Sequence, residues 1–168
     1  MRAMSINRPD ETSDGGRAFA DMYSKLGFTD SHRIAYRDVP DLVHRHCPGA
    51  QNALDHGSGA GRSTALLKQL GLATTGVDTN PHMIAQAKMR DPEGIYLPID
   101  NGILPFPDDS FDLAFSGIVF VEIASKEEMV KALREIKRVL KRGGKLILLT
   151  STPEGYVTDS GEFIGKVF

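Results

Sequence analysis

The sequence predicts an α/β fold, a doubly wound and mostly parallel sheet with helices on both faces. Short β-prone apolar runs alternate with helical stretches along the 168 residues, and several of those runs end in a carboxylate. The first of them, Ala53-Leu54-Asp55-His56, turns over Gly57, Gly59 and Gly61 into a helix. Strands that alternate with helices join through right-handed crossovers into a parallel sheet.

Residues 1–16 are polar and read as a flexible arm. From Arg17 to Gly27, Phe19, Met22, Tyr23 and Leu26 fall on one helical face, and Gly27 stops the helix. A second helix covers Asp38 to Cys47, with Pro40 near its start and Pro48-Gly49 beyond its end. After the glycine turn, Arg62 to Leu70 is helical and Gly71 terminates it. Ala73 to Asp78 is the second strand. Asn80 caps the helix that runs to Arg90, because Pro81 follows at the first helical position, and this leaves Asp78 for a ligand.

Ile95 to Asn101 is a third run with a polar end. Phe111 to Gly117 is a fourth, after the turn-rich Pro105-Phe106-Pro107-Asp108-Asp109-Ser110. Ser125 and Glu128 form a capping box for a helix carrying Met129, Leu133, Ile136 and Leu140, which Gly143-Gly144 ends. Lys145 to Thr150 is a strand of the buried type.

The chemistry concentrates at the glycine turn. Glycines at alternate positions allow positive φ and bring bare main chain against a ligand. A dinucleotide fingerprint needs its third glycine at position 62, which is arginine here. Asp55 at the strand end repels a diphosphate and attracts an ammonium or sulfonium group. Asp78 ends the second strand about 20 residues further on, where an acid accepts from both ribose hydroxyls of an adenosine. In an open parallel sheet ligands bind outside the carboxyl ends of the strands, so Asp55, Asp78 and Asp100 converge on one crevice.

With those residues in view, the chain resembles the class I S-adenosylmethionine-dependent methyltransferases, in particular their small-molecule branch. The resemblance runs from about Ala53 to Thr150. Its markers are Asp55-His56-Gly57-Ser58-Gly59-Ala60-Gly61, Gly76-Val77-Asp78, Asp100-Asn101, Leu104 to Asp112, and Glu135 to Gly144. It implies a Rossmann-like α-β-α sandwich and S-adenosylmethionine as cofactor, with S-adenosylhomocysteine as product. It also implies that Asp55 and the backbone of Gly57, Gly59 and Gly61 hold the methionyl part, with His56 and Ser58 in the same turn. Asp78 would bind the ribose, Thr79 would pack on the adenine, and Asp100 would accept from the adenine amino group with Asn101 beside it. Ser116 and Gly117 would line the floor near the sulfonium. In such proteins the N-terminal helices, here residues 17–48, lid the cofactor, and residues 49–150 form its core.

The resembled fold closes with an antiparallel hairpin, whereas 151–168 holds only Glu162 to Phe168 as a further β-prone run. A truncated chain, a minimal variant and a homodimer that covers the exposed edge strand are the three readings.

Composition fits one ordinary domain: 40% hydrophobic and 25% charged residues, with a formal net charge of -2 that gives no global pull toward nucleic acid. Lys137, Arg138, Lys141, Arg142 and Lys145 read as a solvated face complementing a helix dipole rather than an RNA patch. Cys47 is the single cysteine, which excludes an intramolecular disulfide and a cysteine-based zinc site. No metal is expected. Without a signal-peptide core or a membrane-length apolar run, the expected location is the cytoplasm.

In-line methyl transfer needs alignment and desolvation, and needs a base only when the nucleophile arrives protonated. The weak base candidates are His32, Tyr36 and Glu122, with Tyr23 and His56 behind them, and none is assigned. A non-catalytic cofactor-binding module and a nicotinamide-dependent oxidoreductase stand as alternatives to a methyltransferase of small molecules.

Overall fold

A computed structural model describes residues 13–25 and 34–150. The expectations for residues 1–12, Leu26, Gly27, His32 and the segment 151–168 lie outside the described residues. Among the described residues the elements, in order, include α1 (Asp14–Lys25), α2 (Val39–His46), β1 (Asn52–His56), α3 (Arg62–Gln69), β2 (Ala73–Asp78), α4 (Pro81–Arg90), β3 (Ile95–Pro98), β4 (Phe111–Gly117), α5 (Lys126–Val139) and β5 (Leu140–Leu149).

The five strands form one sheet in the order β3-β2-β1-β4-β5, and every neighbouring pair is parallel. Strand order reverses between β1 and β4, so the switch point lies at the carboxyl ends of these two, beside the glycine turn. Alternation along the strands sorts side chains onto two faces. Ala53, Leu113 and Phe115 pack with Val39 and Val43 of α2 and Leu67 of α3. Leu54, Val77 and Ala114 pack with Phe120 and with Ile136 and Val139 of α5.

Helix α1 begins three residues before the expected start, because Ser13 Oγ accepts the Gly16 N–H at 3.2 Å and Ser13 O accepts the Arg17 N–H at 3.0 Å. That pairing satisfies amide groups that a helix start leaves open. Asn80 caps α4 as expected, its side chain accepting from His82 N at 2.9 Å and Met83 N at 3.3 Å. Ser125 caps α5 by accepting the Glu128 N–H at 3.1 Å.

The end of α5 differs from expectation. The helix stops at Val139, and Leu140 opens β5 by pairing with Phe111. Lys145 then pairs with Leu113, so residues 141–144 bulge opposite Asp112. Gly143, at φ 84, serves that bulge rather than a helix cap. The Asp112 carboxylate pins the region. It accepts from Gln51 N, Asn52 N and Lys141 Nζ at 2.8–3.1 Å, and these bonds hold its carboxyl down to about 2.

Arg138 is likewise more than a solvated charge. Its guanidinium donates to Glu135, to Asp108 and to the carbonyls of Leu104 and Phe106, at 2.8–3.0 Å. It therefore ties α5 to the loop that leads into β4.

That strand ends in a strained turn. Ile118 has φ 64, a left-handed conformation that a β-branched residue rarely adopts, while its N–H donates to Leu149 O at 2.8 Å. Val119 O then accepts the Glu122 N–H at 2.9 Å. Among the described residues, no helix is long and apolar enough to cross a membrane.

Candidate cofactor site

The turn after β1 is held open by backbone conformation. Gly57, Gly59 and Gly61 have φ of 74, 52 and 82, all in the left-handed region that glycine tolerates without a Cβ penalty. Gly57 N and Ser58 N both donate to Val77 O, at 2.8 and 2.9 Å, which staples the turn to β2. A Cβ at Gly61 would stand 2.8 Å from the Tyr96 hydroxyl, so the glycine is required by packing as well.

Asp55 is completely buried beneath this turn. Its Oδ2 accepts from Ser63 Oγ at 2.7 Å and Thr64 Oγ1 at 2.6 Å, both on the first turn of α3. Its Oδ1 has no hydrogen-bond partner among the described residues, and neither does the buried Ser58 Oγ. Burial pushes the Asp55 carboxyl up to about 6, against the two hydroxyl bonds that favour its ionised form. The nearby charge of Asp78 adds to the rise.

Asp78 has work of its own. Oδ2 accepts the Gly59 N–H at 2.8 Å and Oδ1 accepts the Asn80 N–H at 2.9 Å. Beside the ligand role expected of it, the carboxylate bridges the glycine turn and the start of α4. Asp55, buried, and Asp78, half-buried, are thus brought near one turn, while Asp100 is exposed. Asp100 is exposed in an isolated antiparallel bridge to Ile103, and Asn101 beside it has φ 50 with its carbonyl accepting from Lys131 Nζ. Thr79 is exposed at the end of β2.

On the other face of β1, His56 is buried with Nδ1 3.3 Å from Ser116 Oγ and its ring 6.0 Å from that of Phe120. Burial pulls the imidazole down to about 4, which leaves it neutral near pH 7. Tyr36 lies across Gly117, where an added Cβ would overlap its hydroxyl, and its ring is 5.8 Å from Phe115. Burial and the charge of Asp55 push the Tyr36 phenol well above its usual range. Glu122 is exposed in the turn after β4.

Two contacts over the turn were not read from the sequence. A Cβ on Gly57 would overlap Val119 Cγ2, and one on Gly59 would stand 3.6 Å from Tyr23 Cε1. Val119 and α1 therefore cover the glycines. Ser63 and Thr64 were also missed, although two hydroxyls just past a glycine turn that follows an acid are a readable signal.

A profile of methyltransferase domains matches residues 54–148. That span holds the glycine turn, Asp55, Asp78 and all of α5. The chain belongs to the class I S-adenosylmethionine-dependent methyltransferase family. A demethylmenaquinone methyltransferase from Tropheryma whipplei is 35% identical over 100 residues, 58% of this chain and 41% of that protein. A malonyl-[acyl-carrier protein] O-methyltransferase from Erwinia pyrifoliae is 33% identical over 111 residues, 66% of this chain and 41% of that protein. This methyltransferase chain thus spans about two fifths of the length of these relatives. A TehB-like S-adenosylmethionine-dependent methyltransferase from Corynebacterium glutamicum has the same fold, at a TM-score of 0.63 and 22% identity over 83% of this chain and 77% of the other.

The residues present fit the family's cofactor. A buried carboxylate oxygen without a partner suits an ammonium donor, and a side-chain-free main-chain turn suits close approach of a ligand. Any group packing on Gly57 or Gly117 from the side-chain direction must first displace Val119 or Tyr36.

Proposed function

We propose that this methyltransferase transfers a methyl group from S-adenosylmethionine to a small-molecule acceptor by in-line displacement. The observation that carries the reading is Asp55 Oδ1, a fully buried acceptor without a partner among the described residues, under a turn of side-chain-free glycines. An unmet buried acceptor costs free energy that a bound donor recovers. When bound, the cofactor supplies an electrophilic methyl group on a cationic sulfonium.

In this reading Asp55 and the backbone of Gly57, Gly59 and Gly61, with His56 and Ser58, hold the methionyl end. Asp78 and Thr79 hold the ribose side, Asp100 and Asn101 receive the adenine, and Ser116 with Gly117 form the floor. Neutral His56, protonated Tyr36 and the aromatic Phe120 keep the space beside the floor free of competing charge. Orientation and water exclusion then carry the transfer, an effect worth about 7–11 kcal/mol in well-aligned systems. The two relatives act, by their names, on demethylmenaquinone and on a malonyl group held by a carrier protein, which supports a small acceptor group.

The test is calorimetry with S-adenosylhomocysteine, followed by methyl transfer from labelled S-adenosylmethionine to quinols, phenols and carboxylic acids. Binding by wild type, loss of affinity in Asp78→Ala and label in one acceptor class are expected. Folded protein that ignores S-adenosylhomocysteine would end the reading, and binding without transfer to any acceptor would leave a non-catalytic cofactor-binding module.

A further inference from the structure

The C-terminal end of α1 is gripped from two sides. Arg90 Nη2, at the end of α4, donates to Ser24 O at 2.8 Å. Arg62 Nη1, immediately after the glycine turn, donates to Tyr23 O at 3.5 Å, and its guanidinium carbon lies 4.2 Å from the centre of the Tyr23 ring. Gln86 Nε2 of α4 donates to Asp21 Oδ1 at 2.5 Å. Carbonyls toward the C-terminal end of a helix carry its negative dipole end, so cations there are attracted.

These ties add to an apolar contact: among the described residues, Phe19, Ala20 and Tyr23 join Ala60 and Met83 in one satellite cluster. A helix of 12 residues is marginal on its own, so its docking decides whether it stays. The place it docks is the turn itself, with Tyr23 over Gly59 and Ala60 inside the cluster.

We propose that Arg62 and Arg90 are positioning residues that latch α1 over the glycine turn, and that the latch sets how fast the cofactor exchanges. The gating half rests on the cofactor reading above; the latch itself does not. Arg62 couples the latch to the turn because it is the next residue after Gly61. Arg90 supplies a purely distal hold, exposed and at the far end of α4 from the turn.

The experiment uses Arg90→Ala, Arg90→Lys and Arg62→Ala in the full chain. Hydrogen exchange of the α1 amides is measured without ligand, and stopped-flow gives association and dissociation rates of S-adenosylhomocysteine. Arg90→Ala is expected to speed both rates and α1 exchange by about three- to tenfold, with a smaller change in Kd. Arg90→Lys, which keeps the cation, is expected to restore most of the hold. Amides of β1 and β4 should exchange as in wild type, which separates unlatching from general destabilisation. Unchanged α1 exchange in both alanine variants would overturn the latch. Faster α1 exchange with unchanged ligand rates would overturn the gating. Wild type that binds no S-adenosylhomocysteine would overturn the cofactor reading and the gating with it, while the ligand-free exchange still reads the latch.

Discussion

Asp78 and Gly59 are joined by a direct hydrogen bond, the Gly59 N–H donating to Asp78 Oδ2 at 2.8 Å. The carboxylate that ends β2 therefore shapes the turn that follows β1. Charge-assisted bonds of this kind are worth about 1.5–3 kcal/mol. Asp78→Asn presents an amide N–H to one of two backbone donors, Gly59 N or Asn80 N, whichever way it rotates. The expected outcome is about ten- to hundredfold weaker S-adenosylhomocysteine binding and a lower denaturant midpoint, read by calorimetry and urea melts. Wild-type affinity in this variant would show that the bond does not organise the turn.

Gly57 and Val119 are predicted to be coupled. Gly57→Ala meets Val119 Cγ2 and sits at φ 74, so it should destabilise by about 2–4 kcal/mol. Val119→Ala removes the overlap but not the backbone strain. A double-mutant cycle by urea denaturation should therefore show a coupling of about 1 kcal/mol or more, and strict additivity would contradict the contact.

The two buried ionisable groups of β1 give opposing pH effects. Asp55 binds its proton more tightly folded, at about 6, than unfolded, so its contribution grows as pH falls from about 6 toward the ordinary carboxylate range. His56 binds its proton less tightly folded, at about 4, so its contribution is full above about 6.5 and shrinks as pH falls toward 4. Each term is worth up to about 3 kcal/mol. Between pH 7 and 5, His56→Leu should therefore gain stability relative to wild type as the pH drops, and Asp55→Asn should lose it. Urea melts at pH 7, 6 and 5 measure both; two variants that follow the wild-type curve would refute the assignment.

Arg138→Ala should lower stability by about 2–4 kcal/mol, because four partners on α5 and the preceding loop lose their donor together. Arg138→Lys should recover little, since one ammonium cannot reproduce a planar fork. The site lies away from the glycine turn, so S-adenosylhomocysteine affinity of the folded variants should hold. An affinity loss equal to the stability loss would count against this separation.

Much of the fold was readable because local signals agreed. β2 and β4 fall where alternation, flanking turns and terminal polar residues all placed them, and Asn80 and Ser125 cap as their side-chain chemistry dictates. The end of α5 was not readable. Leu140 keeps helical spacing with Ile136 and also pairs with Phe111, and only the sheet decides between them. A glycine pair serves equally as a helix stop or a bulge, and here it lies in the bulge opposite Asp112 of the neighbouring β4, remote in sequence. In the site, Asp55, Asp78 and the glycines announced themselves by position. Val119 meets Gly57, Tyr36 meets Gly117 and Arg90 meets the end of α1 only through tertiary packing, for which no local pattern exists. Asp100 fits the sequence pattern yet stands in solvent, because β3 is short and the chain leaves it at Pro98.

The left-handed turn at Ile118 gives the tip of β4 a built-in recoil. A β-branched residue held there stores about 1–3 kcal/mol, and the adjoining residue is the one that rests on Gly57. Strain and cover thus sit on consecutive residues, Ile118 holding the first and Val119 supplying the second over Gly57.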